Sequence, residues 1–228
     1  MSDAANTTPR VTALVPMRAT SVRVPHKNIR TVAGRPLFTY VIDTLLAAET
    51  IATVAVDTDS DAIKAALRDH YPDVIIIDRL PELAGSDVSM NDVIAYDLSQ
   101  LPGKLFLQTH STNPLLRPQT VDCSVRTFLG QQAHDSLFSV HAVRKRFYDA
   151  AGQAVNHDPA VLLNTQDLPP LFEENSCIYL FSRSSFADTG ARLGRAPMMF
   201  EMDARESVDI DDELDLEIVA ALLQLGGR

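Results

Sequence analysis

Short apolar segments alternate with amphipathic segments along most of the chain, and this alternation restricts the possible folds more than any other feature. The apolar runs have the length and composition of buried strands, and apolar residues at helical spacing fill the intervals between them. Strands that alternate with helices are typically parallel strands joined by crossover helices. The sequence therefore predicts an α/β fold with a doubly wound, mostly parallel sheet. Strands are predicted at 11–16, 53–56, 74–77, 104–108, 137–143, 176–182 and 197–202, and helices at 36–49, 61–70, 90–100, 118–130 and 211–225.

The regular alternation is interrupted between residues 144 and 175. This stretch contains three prolines and has little apolar periodicity, so it does not predict another strand–helix unit. We interpret it as an arm inserted into a single domain that extends over residues 11–228. Residues 1–10 precede the first predicted strand and are expected to form a short flexible leader.

Charge and apolar content limit the classes of function. The chain has 20 Lys and Arg against 30 Asp and Glu, a net charge of −10, whereas a surface that follows nucleic-acid phosphates needs clustered positive charge. No apolar run approaches the roughly 20 residues of a membrane span, and the N-terminus lacks the pattern of a secretory signal. The two cysteines, Cys123 and Cys177, are not spaced as metal ligands. We therefore expect a cytoplasmic protein with reduced thiols that binds neither nucleic acid nor membranes.

The loop after the first predicted strand carries a cluster of cations. Arg18, Arg23 and Lys27 lie within the segment 16–28, and ligands of doubly wound sheets bind at the carboxyl ends of strands. A triphosphate needs several fixed cations to spread its charge before phosphorus is attacked. The spacing is not that of a Walker loop. The alternative interpretation is a solvated basic loop.

A second candidate site is the acidic segment 207–213. Asp209 and Asp211 are two residues apart, which in an extended chain directs both carboxylates to the same side. Two carboxylates with phosphates opposite them are a common way to hold Mg²⁺. The alternative is a helix start with Asp211 as the N-cap, and both interpretations can hold at once.

A third polar segment, 107–117, follows the fourth predicted strand and therefore also lies at the ligand edge. Gln108, His110 and Asn113 offer hydrogen bonds to a hydroxylated substrate. The alternative is a polar turn closed by Pro114, with a structural histidine.

Six segments resemble, in order, motifs of the acylneuraminate (sialic acid) cytidylyltransferase family, with the CMP-KDO synthetases as more distant relatives. The first loop is similar to Pro-Ala-Arg-x-x-Ser-Lys-Gly-x-Pro-x-Lys-Asn of that family. The resemblance extends from about Ala13 to Leu223, nearly the whole chain. The segments are 16–28, 56–59 (family Val-Ser-Thr-Asp), 83–89 (Leu-Ala-x-Asp-Asp-x-Ser), 166–170 (Gln-Asp-Leu-Pro-Pro), 174–179 (Glu-Asn-Gly-Ala-Ile-Tyr) and 206–211 (Glu-Ser-hydrophobic-Asp-Ile-Asp).

The resemblance implies a Rossmann-like nucleotidyltransferase that takes CTP and a 2-keto-3-deoxy sugar acid, releases pyrophosphate and forms a CMP-sugar. It also implies a homodimer in which the inserted arm reaches the partner's site. The implied residue roles are catalysis by Arg18, Lys27 and Asp211; nucleotide binding by Arg18, Arg23, Lys27, Asn28 and Ser89; sugar-acid contact by Gln108, Asn175 and Tyr179; and Mg²⁺ binding by Asp209 and Asp211.

The sequence departs from the family pattern at positions that face substrate in the family. Val22 stands where the family has a lysine, and Arg23 is its nearest replacement. The segment after Gln108 is one residue longer before its proline, and Thr165 stands where a basic residue is usual. The change at Thr165 concerns the identity of the sugar acid more than the cytidylyl transfer. A CMP-KDO synthetase and a nucleotide-binding homologue without turnover are the alternatives.

The carboxylate of such a substrate needs a counterion. The candidates from the sequence are Arg117, Arg144, Lys145 and Arg146. The last three are equally consistent with a solvated face of the arm, and we favour that interpretation.

Overall fold

The computed structural model describes residues 10–21 and 23–226, so Val22 and all of the predicted leader except Arg10 lie outside the described residues. The strands are β1 Val11–Met17, β2 Thr31–Val32, β3 Arg35–Pro36, β4 Ile51–Thr58, β5 Ile75–Asp78, β6 Leu105–Gln108, β7 Ser136–Val143, β8 Leu171–Ser182 and β9 Pro197–Glu201. The helices are α1 Leu37–Ala47, α2 Asp61–His70, α3 Met90–Gln100, α4 Pro118–Leu129, α5 Arg183–Thr189 and α6 Glu213–Gly226.

Seven strands form one sheet in the order β5-β4-β1-β6-β8-β7-β9, and β2 pairs with β3 in a separate hairpin. β1 is parallel to both β4 and β6, β4 is parallel to β5, and β7 is parallel to β9. β8 is antiparallel to both of its neighbours, β6 and β7. The mostly parallel sheet predicted from the sequence is therefore confirmed, with a single reversed strand inside it.

Helices cover both faces of the sheet, as a doubly wound fold requires. Successive side chains of a strand point to opposite faces. In β1, Val15 packs in a core that includes residues of α1, α2 and α4. Its neighbour Leu14 packs in a second core with residues of α3 and α5. A third cluster joins α6 to the β2–β3 hairpin and to the start of α1.

Three features of the fold were not predicted. Ala33 and Gly34 both have positive φ angles and form the two-residue turn of the β2–β3 hairpin, as turns that match strand twist do. The short α5 starts at a capping box formed by Ser182 and Ser185. β8 begins at Leu171, so the last five residues of the predicted arm lie in the sheet. No helix among the described residues has the length and apolarity to cross a membrane.

Candidate active site

A cavity of about 400 Å³ opens at the carboxyl ends of the parallel strands. This is the edge at which open α/β sheets bind their ligands, and the volume suits a small organic molecule. The lining comes from the loops after β1, β5 and β6 and from the segment before α6. The polar lining residues include Arg18, Arg23, Lys27, Asn28, Arg79, Ser86, His110, Ser111, Thr112, Ser176, Asp209 and Asp211.

The loop after β1 is held against the cavity by hydrogen bonds to three other loops. The backbone N–H of Ala19 donates to Asp59 Oδ1 at 2.6 Å, just after β4. Arg18 Nη1 donates to the carbonyl of Gly85 at 3.1 Å, in the loop that follows β5. Asn28 donates to the carbonyl of Arg18 at 2.9 Å and accepts from Ser111 at 2.7 Å, after β6. The predicted nucleotide-binding residues Arg18 and Asn28 are therefore brought together and oriented by these bonds.

Lys27 lies at the point where the cations meet the carboxylates. His26, with a φ of 55°, begins the short 3₁₀ turn Lys27–Ile29 that directs the lysine inwards. Lys27 Nζ donates to the carbonyl of Ile210 at 2.5 Å and lies 3.9 Å from Asp211 Oδ1. Burial lowers the pKa of Lys27, and the charges of Asp209 and Asp211 partly oppose that effect. Because these carboxylates favour the charged form, the site suits a cation that faces phosphate oxygens.

Asp209 and Asp211 both reach the cavity, but they differ in environment. The backbone N–H of Ile210 between them donates to the carbonyl of Thr112 at 3.1 Å, which fixes the segment against the loop after β6. Asp209 Oδ1 is buried and has no hydrogen-bond partner among the described residues. Burial raises the pKa of Asp209. Asp211 is half-exposed and accepts a hydrogen bond from Arg23 Nη2 at 2.6 Å.

The cap of α6 belongs to Asp212 rather than Asp211. Asp212 Oδ1 accepts from the backbone N–H of Asp215 at 3.0 Å, and the backbone N–H of Asp212 donates to Asp215 Oδ2 at 3.0 Å. The interpretation of Asp211 as the N-cap is therefore wrong, because the helix begins two residues later than predicted, at Glu213. Asp211 is left free to turn its carboxylate towards the cavity.

A neutral histidine, His110, lines the cavity. Burial is the main cause that lowers the pKa of His110 to about 4, and the charges of Arg192 and Lys27 lower it further. His110 is therefore an uncharged imidazole at neutral pH, able to donate or accept a hydrogen bond.

The residues predicted to face the sugar acid lie beneath this wall. Gln108 and Tyr179 are register partners on β6 and β8, and both are fully buried. Asn175 accepts from Ser139 at 2.5 Å and donates to Ser207 at 2.9 Å. The structure thus groups the three predicted residues but leaves them buried, and their contact with a sugar stays a prediction.

A bulge in β8 carries Ser176 to the cavity. The β7–β8 register shifts opposite Ser139, whose hydroxyl accepts from the N–H of Ile178 at 2.8 Å. Ser176 has a φ of 57°, a conformation that costs glycine little and serine more. The glycine of the resembled Glu-Asn-Gly-Ala-Ile-Tyr motif falls at this position. Ser176 Oγ lies 3.3 Å from the hydroxyl of Tyr179.

Other residues singled out in the sequence lie outside the cavity. Ser89 caps α3 by accepting from the N–H of Asn91 at 3.2 Å, and it is exposed beside the lining residues Val88 and Met90. Arg117 pairs with Glu206 at 3.2 Å.

The basic run 144–146 holds the arm in place. Arg144 donates to the carbonyl of Leu168 at 2.8 Å, and Arg146 donates to that of Leu163 at 2.5 Å. Neither these arginines nor Lys145 and Arg117 appear among the described residues that line the cavity.

A buried ionic cluster that the sequence analysis missed supports the cavity from behind. Arg79, directly after β5, lines the cavity and donates Nε to Asp57 Oδ1. Asp97 on α3 is buried beside them, and burial raises its pKa to about 9, with the neighbouring Asp57 charge adding to the rise. Asp57 Oδ2 and both oxygens of Asp97 lack a partner among the described residues. A proton on Asp97 supplies the missing donor, and the cluster is then neutral overall.

Comparison with known proteins points to one kind of chemistry. The family model described as Cytidylyltransferase matches residues 12–225. The chain is 28% identical over 214 residues to N-acylneuraminate cytidylyltransferase A of Danio rerio, covering 90% of this chain and 49% of that one. It is 23% identical to the Escherichia coli O18:K1:H7 N-acylneuraminate cytidylyltransferase, covering 96% of this chain and 53% of that one. The chain thus spans about half the length of these curated relatives.

The fold also has a solved counterpart. The structure of CMP:2-keto-3-deoxy-manno-octonic acid synthetase complexed with CTP superimposes with a TM-score of 0.71 over 96% of this chain and 99% of the other. At 18% identity, the likeness shows a shared fold.

Proposed function

Because the chain belongs to the cytidylyltransferase family, we propose that it transfers CMP from CTP to the anomeric hydroxyl of a 2-keto-3-deoxy sugar acid. The anomeric oxygen forms a bond to the α-phosphorus, and the bond from that phosphorus to the bridging oxygen breaks. Pyrophosphate leaves with the electron pair, and the hydroxyl proton is released. The acid is proposed to be a sialic acid-like nonulosonic acid, with KDO as the alternative.

One observation carries this proposal. One cavity is lined by Arg18, Arg23 and Lys27 together with Asp209 and Asp211. During its transfer, a phosphoryl group carries negative charge distributed over its oxygens. Fixed cations stabilise that charge. The side chain of Lys27 is 14% exposed against 64% for Arg23, so water screens the charge of Lys27 less.

The two carboxylates suit Mg²⁺, and we include that ion in the proposal. The unpartnered buried oxygen of Asp209 and the half-exposed carboxylate of Asp211 are hard oxygen ligands. Among the described residues no group of three or more His, Cys, Asp and Glu could hold a metal. Two carboxylates with phosphate oxygens and water match the usual Mg²⁺ arrangement. When bound, the ion would neutralise charge on the triphosphate.

Pyrophosphate release tests the reaction and the substrate class together. With CTP and Mg²⁺, we expect release with at least one of N-acetylneuraminic, deaminated neuraminic, legionaminic and pseudaminic acids. KDO as the sole active acid would favour the alternative. CTP with Mg²⁺ should also raise the melting temperature, since a ligand that binds only the folded state stabilises it. A folded protein that binds CTP but releases pyrophosphate with none of these acids would contradict catalysis and favour a nucleotide-binding homologue.

We further propose that the chain forms a homodimer through its arm. The arm exposes apolar side chains, and Leu162 is 88% exposed. Exposed apolar surface of this kind is typical of interfaces. In sedimentation velocity, Leu162→Asp should shift the protein from dimer to monomer, while the matched Leu214→Asp change on α6, also at an exposed leucine, should not. A wild-type monomer at micromolar concentration would contradict the proposal.

A further inference from the structure

We propose that Arg192 is the counterion of the substrate's carboxylate and so determines the preference for sugar acids. The inference rests on the function proposed above and names a residue to which the sequence analysis gave no role. The sequence candidates for this counterion were Arg117, Arg144, Lys145 and Arg146. The three arginines bind other groups, and none of the four lines the cavity.

Arg192 is held at the ligand edge of the sheet by two neutral groups. Its Nη1 donates to Gln108 Oε1 at 2.5 Å. Its guanidinium carbon lies 3.4 Å from the centre of the Tyr179 ring. Because Gln108 and Tyr179 are register partners, the guanidinium spans the β6–β8 pair where β6 ends. The backbone N–H of Arg192 donates to Asn91 Oδ1 at 3.2 Å, which ties this segment to α3.

The charge of Arg192 is poorly compensated by the protein. Within the described parts of the chain it makes no ion pair shorter than 4 Å. The carboxylate of Glu174 lies near enough to favour the charged guanidinium. Its hydrogen bond, however, is accepted from the hydroxyl of Tyr179. Burial lowers the pKa of Arg192. A guanidinium carries five N–H donors; in Arg192, Nη1 is directed to Gln108 and a further donor interacts with the side chain of Tyr179. Planar N–H donors that remain available suit bidentate binding of a carboxylate.

The position of Arg192 agrees with the chemistry of the substrate. In a 2-keto-3-deoxy acid the carboxylate is bonded to the anomeric carbon, so it stays within a few bond lengths of the attacking oxygen. Its counterion must therefore lie close to the α-phosphate position. His110 lies on the cavity wall and interacts with both Lys27 and Arg192. Arg192 is hydrogen-bonded to Gln108, which lies two residues before the lining residue His110, so its guanidinium is at the same end of β6 as the cavity.

The opposing interpretation is that Arg192 only braces Gln108 and Tyr179. A brace affects every substrate alike, whereas a counterion distinguishes a carboxylate from a neutral group of the same shape. The experiment therefore compares the best acid of the panel with its carboxamide, in the wild type and in Arg192→Gln. Arg195→Gln is the matched control, because Arg195 is exposed and only its backbone N–H contacts Asp135.

We expect Arg192→Gln to raise the KM for the acid by about 50-fold, in line with the loss of hydrogen bonds to a charged group. The Kd for CTP should stay within about twofold, and the ratio of kcat/KM between acid and carboxamide should fall to near 1. Arg192→Lys keeps the charge but lacks the planar guanidinium, and it should raise the KM for the acid about tenfold. It replaces Arg192→Gln in the experiment if the glutamine variant does not fold. Arg195→Gln should match the wild type.

An unchanged acid-to-carboxamide ratio in the Arg192 variants of an active enzyme would overturn this inference alone. If the wild-type protein bound CTP but released no pyrophosphate with any acid of the panel, the proposed function would be overturned, and this inference with it. The two failures are therefore distinguishable from one set of assays.

Discussion

We expect Asp209→Asn to lower the rate of pyrophosphate release about 10³-fold while the protein stays folded. Asparagine has nearly the shape of aspartate but lacks the charge that binds Mg²⁺ strongly. A metal ion contributes several kcal/mol to charge stabilisation in such transfers, and each 1.36 kcal/mol corresponds to a factor of ten. Asp211→Asn should also reduce release strongly, because it removes the second carboxylate and the partner of Arg23.

The same substitution should stabilise the protein in the absence of CTP and Mg²⁺. Burial raises the pKa of Asp209, so at neutral pH the folded state holds a carboxylate at a cost that the unfolded state does not bear. The folded protein binds the proton more tightly, so this cost shrinks as the pH falls and disappears when the pH reaches the unfolded pKa, 3.8. The melting temperature of Asp209→Asn should therefore exceed that of the wild type at pH 7 and approach it near pH 4.

Asp212→Asn is the matched control for both effects. It makes the same chemical change at the cap of α6, and asparagine caps helices as well as aspartate does. Activity should stay near the wild-type value. Full activity of Asp209→Asn with an unchanged dependence on Mg²⁺ would contradict the metal assignment.

The sequence predicts the fold well where one segment carries its own signal. The run of buried apolar residues in β1 and the helical spacing of α1 and α3 locate these elements to within two residues. The antiparallel direction of β8 has no such signal, because an apolar run does not show whether a strand is parallel or antiparallel to its neighbours. The seven-residue α5 is too short to show a period, and its start depends on the hydroxyl of Ser182.

The candidate site follows the same rule. Arg18 and Lys27 are close in sequence, so their clustering was visible, as was the spacing of Asp209 and Asp211. Arg79 and Arg192 are isolated in sequence; the strand order brings Arg79 to the cavity wall and Arg192 to Gln108 at the end of β6. The place of Arg79 could have been predicted from the sequence, because Arg79 directly follows β5 at the ligand edge of the sheet. For Arg192 no comparable signal exists, because its place depends on the β6–β8 pairing.

Arg79→Met should destabilise the folded protein by about 3–5 kcal/mol, the usual cost when one partner of a buried ion pair is removed. Asp57 would remain as a charge at a site where its side chain is 1% exposed. Urea unfolding at pH 7 without nucleotide measures the loss of free energy. The motif that segment 56–59 resembles, Val-Ser-Thr-Asp, has serine at the position of Asp57.

Two further variants separate the ion pair from the volume of the arginine. Asp97→Asn should cost little, because burial raises the pKa of Asp97 to about 9 and the residue is already neutral at pH 7. Arg79→Met combined with Asp57→Asn should recover much of the stability, because the buried, unpaired charge of Asp57 is then absent. The single variant Asp57→Asn completes the comparison. If the double variant lost as much free energy of unfolding as the two single variants together, the loss would come from packing alone. The buried pair would then contribute nothing to holding Arg79 at the cavity wall.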